Sequence, residues 1–351
     1  MPSIKNVEVG VIAHGLGIKE VYSGEGKVYL TCFDMLKQKG VSFVPISFAK
    51  PRKTQSVHTL PFSLPKFDKY QRLLVKISAS KVKPKVFLNL SGVPIPLSSI
   101  APHLVYAGAP AISSLPSKYK GIWKLYLLPF YLYLPALKRE ASRIEIIANS
   151  NLSAEAISEV YGIPKPKVIY PPVDVEKFEL AYKCKERDDM FITVGRIERG
   201  KMLENAVNLS ARTGISGIIV GSLIEKDYLE RLLKLARETG AKVKILYDLP
   251  QNELVKLMGK AKVYFHPTIG EHFGIPVVEA MAAGLTPLVP VKSGAYEIVP
   301  KELGYSTIDE ASTKLKDLMK VDMKEKVHEI SKGFSSSVFK EKMWEHLSKY
   351  L

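Results

Sequence analysis

Gly270-Glu271-His272-Phe273-Gly274-Ile275-Pro276-Val277-Val278-Glu279-Ala280-Met281-Ala282-Ala283-Gly284 sets two carboxylates around a glycine turn and the start of a short helix. Proline suits a first helical position, where its missing N–H would have had no partner, so Pro276 marks the start. Gly284 suits the C-terminal stop. Glu271 then lies in the loop before the helix, and Glu279 lies early within it. The first N–H groups of a helix lack intrahelical partners, and the dipole makes that end positive. Gly274, with no Cβ, lets a ligand approach the main chain closely. Carboxylates accept from hydroxyls and a helix N-terminus faces phosphate, which together suit a polyhydroxylated anion such as a nucleotide-sugar. Solvated charges are the commoner meaning of two glutamates. Here Val277, Val278, Ala280, Met281, Ala282 and Ala283 leave little polar helix face, which points Glu279 into a cleft.

The same segment resembles the glutamate–seven residues–glutamate motif of the retaining glycosyltransferases of family 4. Spacing, the internal Phe273-Gly274-Ile275-Pro276 and the trailing Glu279-Ala280-Met281-Ala282-Ala283-Gly284 all match. The resemblance implies an α/β chain of GT-B fold, with two Rossmann-like domains facing a central cleft. It also implies retaining transfer of a hexose, mannose or glucose, from a GDP- or UDP-linked donor.

Working outward, short β-branched runs alternate with longer helical patterns along the whole chain, which is the rhythm of parallel α/β architecture. In the first half the strands read as Val7–Ala13, Val41–Ser47, Lys85–Leu90, Leu104–Ala107, Ile144–Asn149 and Val168–Tyr170. The helices there read as Lys27–Gln38, Tyr70–Ser80, Lys118–Leu137 and Ala154–Tyr161. In the second half, strands at Met190–Val194, Ile218–Val220, Val243–Tyr247, Val263–His266 and Thr286–Pro290 alternate with helices near Leu203–Arg212, Lys226–Glu238 and Glu253–Lys260. The expected division is an acceptor domain over 1–172, a Pro- and charge-rich linker over 173–189 and a donor domain over 190–337. A last helix over 338–351 is expected to cross back to the first domain, as such helices do in GT-B folds.

With 351 residues, 46% apolar and 25% charged, the chain is long enough for two ordinary globular domains. Only Cys32 and Cys184 occur, far apart and without metal-ligand spacing, which favours a reducing, cytoplasmic setting over a disulfide framework. The N-terminus lacks the signature of a signal peptide. A formal charge of +16 favours anionic partners. No RNA- or DNA-binding module and no aromatic–basic interleaving is present, so nucleic acid is set aside.

Thr193-Val194-Gly195-Arg196-Ile197 runs off a strand, and Lys201 opens the next helix. Gly195 permits a tight turn, after which Arg196 and Lys201 can converge on one anion. By the resemblance, Arg196 and Lys201 hold the donor diphosphate and Glu279 binds the ribose. Glu271, with the backbone at Phe273, Gly274 and Ile275, meets the sugar. Two cations on the departing diphosphate do the work of Mg²⁺, so no metal and no cofactor are expected. No Asp-x-Asp occurs, and the 7 histidines are scattered.

His14-Gly15-Leu16-Gly17 follows the first strand, and Ser23-Gly24-Glu25-Gly26-Lys27 leads into the first helix. This is not a Walker loop. Within the resemblance, Gly15, Gly24 and Gly26 belong to the glycine-rich segment closing over the donor phosphates. A narrower, patchy similarity to the dolichol-linked-oligosaccharide α-1,2-mannosyltransferases runs through Pro84–Asn89, Tyr106–Ser113, Ile147–Asn151 and Val168–Asp174. Those enzymes carry a histidine where this chain has Gly108. His103 and His14 are the candidates to take its catalytic place.

Leu125–Leu137 is apolar, tyrosine-rich, proline-broken and flanked by Lys124, Lys138 and Arg139. It is too short to span a bilayer and suits the headgroup boundary. With Lys81, Lys83, Lys85, Lys118 and Lys120 nearby, it favours peripheral contact with an anionic membrane over a buried helix. Together with this contact, the resemblance to the dolichol-linked-oligosaccharide enzymes, which work on the cytosolic membrane face, implies a lipid-linked or membrane-proximal glycan acceptor there. The alternatives are a soluble glucan or small-metabolite acceptor, or a nucleotide-sugar-binding homologue that turns nothing over.

Overall fold

The computed structural model describes residues 7–16, 24–52, 54–63, 67–110, 112 and 128–351. The chain divides into two compact units, one of Met1–Pro172 with Ser336–Leu351 and the other of Val173–Ser335.

The first unit is built on β1 (Val9–Ile12), β2 (Phe43–Ala49), β3 (Val57–Leu60), β4 (Val86–Asn89), β5 (His103–Ala107), β6 (Glu145–Ala148) and β7 (Lys167–Val168). These strands pair in parallel in the order β3-β2-β1-β4-β5-β6-β7. The central strands β1, β4 and β5 are buried along their whole length, as a sheet covered on both faces requires. Successive residues serve opposite faces: Val86, Leu88, Leu104 and Tyr106 pack with helix Gly24–Gln38, whereas Phe87, Val105 and Ala107 pack with helices Leu128–Ala141 and Asn151–Tyr161.

The C-terminal helix Ser336–Leu347 adds Phe339, Met343 and Leu347 to the first of these cores. The Phe339 ring meets Tyr106 edge-on at 5.5 Å. Tyr350 donates to Glu145 at 2.9 Å, His346 pairs with the same carboxylate, and Lys340 pairs with Asp34.

The second unit carries β8 (Asp188–Val194), β9 (Ser216–Gly221), β10 (Val243–Tyr247), β11 (Ala261–Phe265), β12 (Thr286–Pro290) and β13 (Gly304–Tyr305), parallel in the order β10-β9-β8-β11-β12-β13. Residues 173–189, expected as a linker, pack inside this unit as the 3₁₀ turn Val175–Phe178 and the helix Glu179–Tyr182. Arg187 accounts for this. Its guanidinium donates to the carbonyls of Ala181 (2.9 Å), Met258 (3.2 Å), Ala261 (2.8 Å) and Ala283 (2.6 Å), while the Tyr182 ring stacks on His328 at 3.7 Å. A planar fork of donors can gather carbonyls from separate elements.

Other differences from the sequence reading are local. The edge strands β3 and β13 are too short to show a period. The helix read over 70–80 is interrupted at Val75, giving Asp68–Leu74 and Lys76–Ala79. Of the helix read over 118–137, residues 118–127 lie outside the described residues. The described helix runs from Leu128 past Leu137 to Ala141, with Pro135 inside it.

In both sheets the strand order reverses beside the unit's first strand, between β1 and β4 and between β8 and β11. Loops leaving the carboxyl ends of two such strands turn to opposite sides of the sheet and leave a crevice where ligands bind.

Candidate functional site

At the switch point of the second unit, β8 ends at Val194 and is followed by Gly195 and Arg196; β11 ends at Phe265 and is followed by His266. The turn Arg199–Lys201 closes on Met202 at φ +51°. Thr268 Oγ1 donates to the Lys201 carbonyl at 3.1 Å, and Asn205 Nδ2 donates to the Pro267 carbonyl at 3.1 Å. These bonds tie the Lys201 turn to the loop after β11. A Cβ placed on Gly195 would come within 3.8 Å of the Lys201 stem, so the two lie side by side.

Lys201 Nζ donates to Glu271 Oε2 at 2.5 Å, with the side chains 23% and 24% exposed. Burial pushes the Glu271 carboxyl up, but Lys201, with His266 and His272, holds it below its ordinary value. The imidazoles move the other way. Burial takes His266 down to about 4 against the pull of Glu271, and lowers His272 as well. At neutral pH the site therefore holds an ion pair beside two uncharged histidines.

The loop carrying Glu271 is clamped by main-chain bonds, from Gly270 N–H to the Lys292 carbonyl at 2.7 Å and from Gly294 N–H to the Glu271 carbonyl at 2.7 Å. Position 294 admits only glycine, since a Cβ there would lie 1.9 Å from the His272 carbonyl oxygen. Gly274 takes φ +90°, which favours glycine, and turns the chain into the helix Ile275–Ala282. Pro276 takes the second rather than the first position of that helix, Ile275 being the first; either place is free of a required N–H. At the other end Gly284, at φ +77°, donates to Met281 while Leu285 donates to Ala280, a Schellman stop.

Glu279 is half-buried on this helix. Burial raises the Tyr264 hydroxyl well above its ordinary value, with Glu279 and then Glu271 adding to the shift. Both carboxylates of the motif thus act on one point beside the end of β11. Phe273 turns its ring into the core, 5.9 Å from Phe334, leaving its backbone as the part a ligand could meet. Arg196, 58% exposed, pairs with Glu198 at 2.8 Å. Arg196 and Lys201 are each matched to a carboxylate of their own, so an anion arriving here competes with Glu198 and Glu271.

In the first unit, His14 follows β1 and is fully buried. Its Nε2 lies 3.3 Å from Asp68, and its Nδ1 lies 3.3 Å from the Tyr29 hydroxyl and 3.5 Å from Glu25. Arg72 donates to the Ser91 carbonyl at 2.7 Å, to Glu25 at 3.0 Å and to Asp68 at 3.4 Å, while the His14 N–H donates to Ser91 Oγ at 3.2 Å. This polar network occupies the carboxyl ends of β1 and β4. Gly15 follows His14, and Gly24 and Gly26 form the first turn of the helix Gly24–Gln38; residues 17–23 of the glycine-rich loop lie outside the described residues.

His103 is placed elsewhere. It opens β5 at the amino end of the strand, fully buried, with Nδ1 3.1 Å from Glu140 and Nε2 3.2 Å from Asn89 Nδ2. Glu140 also accepts from the Leu97 N–H (2.9 Å) and from the Ser98 N–H and hydroxyl (both 2.7 Å). Burial raises this carboxyl, and His103 with the Leu97 and Ser98 donors outweighs that and takes it down to about 2. His103 is thus a buried core anchor with both ring nitrogens engaged, by Glu140 and by Asn89, which leaves it no atom for the reacting sugar, against the expectation from the sequence. Gly108 lies after β5, at its carboxyl end, and a Cβ there would sit 3.3 Å from Asn149 Nδ2.

No described helix is long and apolar enough to cross a membrane. Helix Leu128–Ala141 buries Phe130, Leu137, Glu140 and Ala141 while exposing Leu128, Tyr131 and Leu132, the last 74% exposed. Those three side chains share a face, with Lys138 and Arg139 exposed at the helix end.

His266 and His272 were not among the residues singled out from the sequence. His272 stands inside the motif and His266 at the end of a predicted strand, but a strand's end does not say which way an imidazole turns.

Residues 174–332 match the family model described as glycosyl transferases group 1. The GDP-Man:Man(3)GlcNAc(2)-PP-Dol alpha-1,2-mannosyltransferase of Dictyostelium discoideum is 26% identical over 201 residues, 49% of this chain and 40% of that protein. An uncharacterized glycosyltransferase of Methanocaldococcus jannaschii is 28% identical over 179 residues, 45% of each chain. The aligned stretch spans less than half of either relative. Among solved structures, Anabaena Alr3699/HepE in complex with UDP superposes with a TM-score of 0.71 at 16% identity, covering 97% of this chain and 100% of that one. The fold is GT-B, and over residues 174–332 the chain resembles the group 1 glycosyl transferases, with a patchier likeness to the α-1,2-mannosyltransferases.

Proposed function

We propose that this chain is a retaining glycosyltransferase, moving mannose or glucose from a GDP- or UDP-linked donor to a lipid-linked or membrane-proximal glycan. The observation that carries the reading is the Lys201–Glu271 contact at 2.5 Å, set at the switch point of the second unit beside the helix of Glu279. The donor diphosphate takes Lys201 and Arg196 from their carboxylates, and those cations stabilise the leaving group. No divalent metal is then required. Glu279 accepts from the ribose hydroxyls. Glu271, relieved of Lys201, and the backbone of Phe273, Gly274 and Ile275 meet the sugar. The C1–phosphate bond breaks as the acceptor oxygen bonds C1 on the same face, and the leaving phosphate oxygen takes the acceptor proton. The His14 network is the acceptor-facing candidate of the first unit.

The name of the Dictyostelium relative supports a lipid-linked acceptor. So does the exposed Leu128–Tyr131–Leu132 face, whose two leucines, tyrosine ring and flanking cations suit a headgroup boundary at the cytosolic face. A second reading, donor binding without turnover, is favoured by Gly108 alone.

The test sets GDP- and UDP-linked mannose and glucose against wild type and Glu279→Ala, with EDTA present. Binding and slow hydrolysis of one donor by wild type only, with retention in the product, is the expected result. Binding without hydrolysis or transfer supports the second reading. Absence of binding across the panel, or full activity of Glu279→Ala, defeats both.

A further inference from the structure

We propose that His266 is a sugar-reading residue, its Nε2 forming a hydrogen bond with a hydroxyl of the transferred hexose; this rests on the donor-site reading above. His266 is 3% exposed, and its Nε2 is a buried polar atom with no hydrogen-bond partner among the described residues. Such atoms are rare, because a buried group left unmet destabilises the fold, and they persist where a ligand or an ordered water completes them.

The rest of the residue is fully engaged. Its N–H donates to the Leu288 carbonyl at 2.9 Å, and its carbonyl accepts from the Tyr305 hydroxyl at 2.8 Å. Nδ1 lies 3.3 Å from the Tyr264 hydroxyl, which itself lies 3.3 Å from the Val194 carbonyl. The ring is therefore held in place, two residues before Thr268, whose hydroxyl bonds the Lys201 carbonyl, and the charges of Lys201 and Glu271 both act on the imidazole.

The chemistry of the ligand follows from the Tyr264 proton. If that proton goes to Val194, Nδ1 carries the imidazole hydrogen and Nε2 is an acceptor. If it goes to Nδ1, Nε2–H is a donor. A phosphate oxygen serves only the second state and an ammonium only the first. A sugar hydroxyl serves both, since it donates and accepts. The diphosphate already has Lys201 and Arg196 and the ribose has Glu279, so His266 adds to Glu271 and the 273–275 backbone as a further contact on the hexose.

The experiment is calorimetric titration of the full chain with UDP, GDP, UDP-glucose and GDP-mannose, for wild type, His266→Phe and His266→Asn. The expected result is that His266→Phe binds the preferred nucleoside diphosphate within about twofold of wild type and loses about tenfold or more for the nucleotide-sugar. His266→Asn, which keeps a polar atom, recovers part of that loss. Should His266→Phe fail to fold, the wild-type ring nitrogens, labelled with ¹⁵N, give the same answer: Nε2 shifts with nucleotide-sugar and not with nucleoside diphosphate. Equal losses for nucleotide and nucleotide-sugar, no loss for either, or an Nε2 signal indifferent to the sugar would overturn the assignment in favour of an ordered water. Failure of wild type to bind any of the probes would instead remove the donor-site reading, and this inference with it.

Discussion

Replacing Lys201 by methionine keeps most of the stem and removes the charge, so it isolates what the cation does for Glu271. The two side chains are 23% and 24% exposed, which places the pair between a surface ion pair, worth about 0–1 kcal/mol, and a buried one, where deleting a partner costs about 3–5 kcal/mol. An intermediate cost of about 1–3 kcal/mol is expected at pH 7. The pH dependence identifies its source. In wild type the folded value of Glu271 lies below the unfolded one, so its contribution is present above about pH 4.5 and fades as pH falls through the folded value. Without Lys201 the strongest of the influences holding Glu271 down is gone, and burial, the largest influence of all, dominates. The folded value then rises above the unfolded one, and the carboxylate destabilises the fold at neutral pH but not once protonated. The deficit of Lys201→Met is thus largest at pH 7 and shrinks toward pH 4. For a unit of this size each kcal/mol moves the melting midpoint by roughly 2–4 °C, giving a deficit of about 2–12 °C at pH 7. Scanning calorimetry at pH 7 and pH 4 in low salt measures it, with the units' transitions resolved separately. A deficit of equal size at both pH values, or none at pH 7, would refute the electrostatic account and leave only lost packing.

Leu132→Asp places a charge at the centre of the exposed face of helix Leu128–Ala141; binding to anionic liposomes should fall several-fold with the melting midpoint unchanged, as checked by co-sedimentation. His103→Phe should lower the stability of the first unit by about 1–3 kcal/mol through loss of the Glu140 and Asn89 contacts. Nucleotide binding by the same variant should match wild type; a loss of binding with unchanged melting would restore His103 to the site. His266, at about 4 folded against about 6.5 unfolded, makes the unfolded chain bind the extra proton first. Stability should therefore decline from pH 6.5 to pH 4, by about 3 kcal/mol from this group, and His266→Phe should flatten that limb in urea titrations.

Much of this protein was legible in local pattern. The 270–284 segment could be read as loop, helix and glycine stop because caps and turns are decided by residues a few positions apart. Alternating apolar strands and helical stretches announced two parallel sheets, since strands covered on both faces must be continuously apolar. Where side chains meet across the fold was not legible. Lys201 and Glu271 stand 70 positions apart, and the contact exists because β8 and β11 are neighbours in the sheet. Strand order also decided that His103 opens β5 as a core anchor while His266 closes β11 beside the ion pair. Arg187 drew residues 173–189 into the second unit by reaching carbonyls of four separate residues, a gathering no linear pattern encodes. Backbone periodicity and turn chemistry are short-range and survive in a linear reading; burial, charge pairing and the fate of each polar atom depend on which distant residues packing brings together, and those the tertiary structure alone decided.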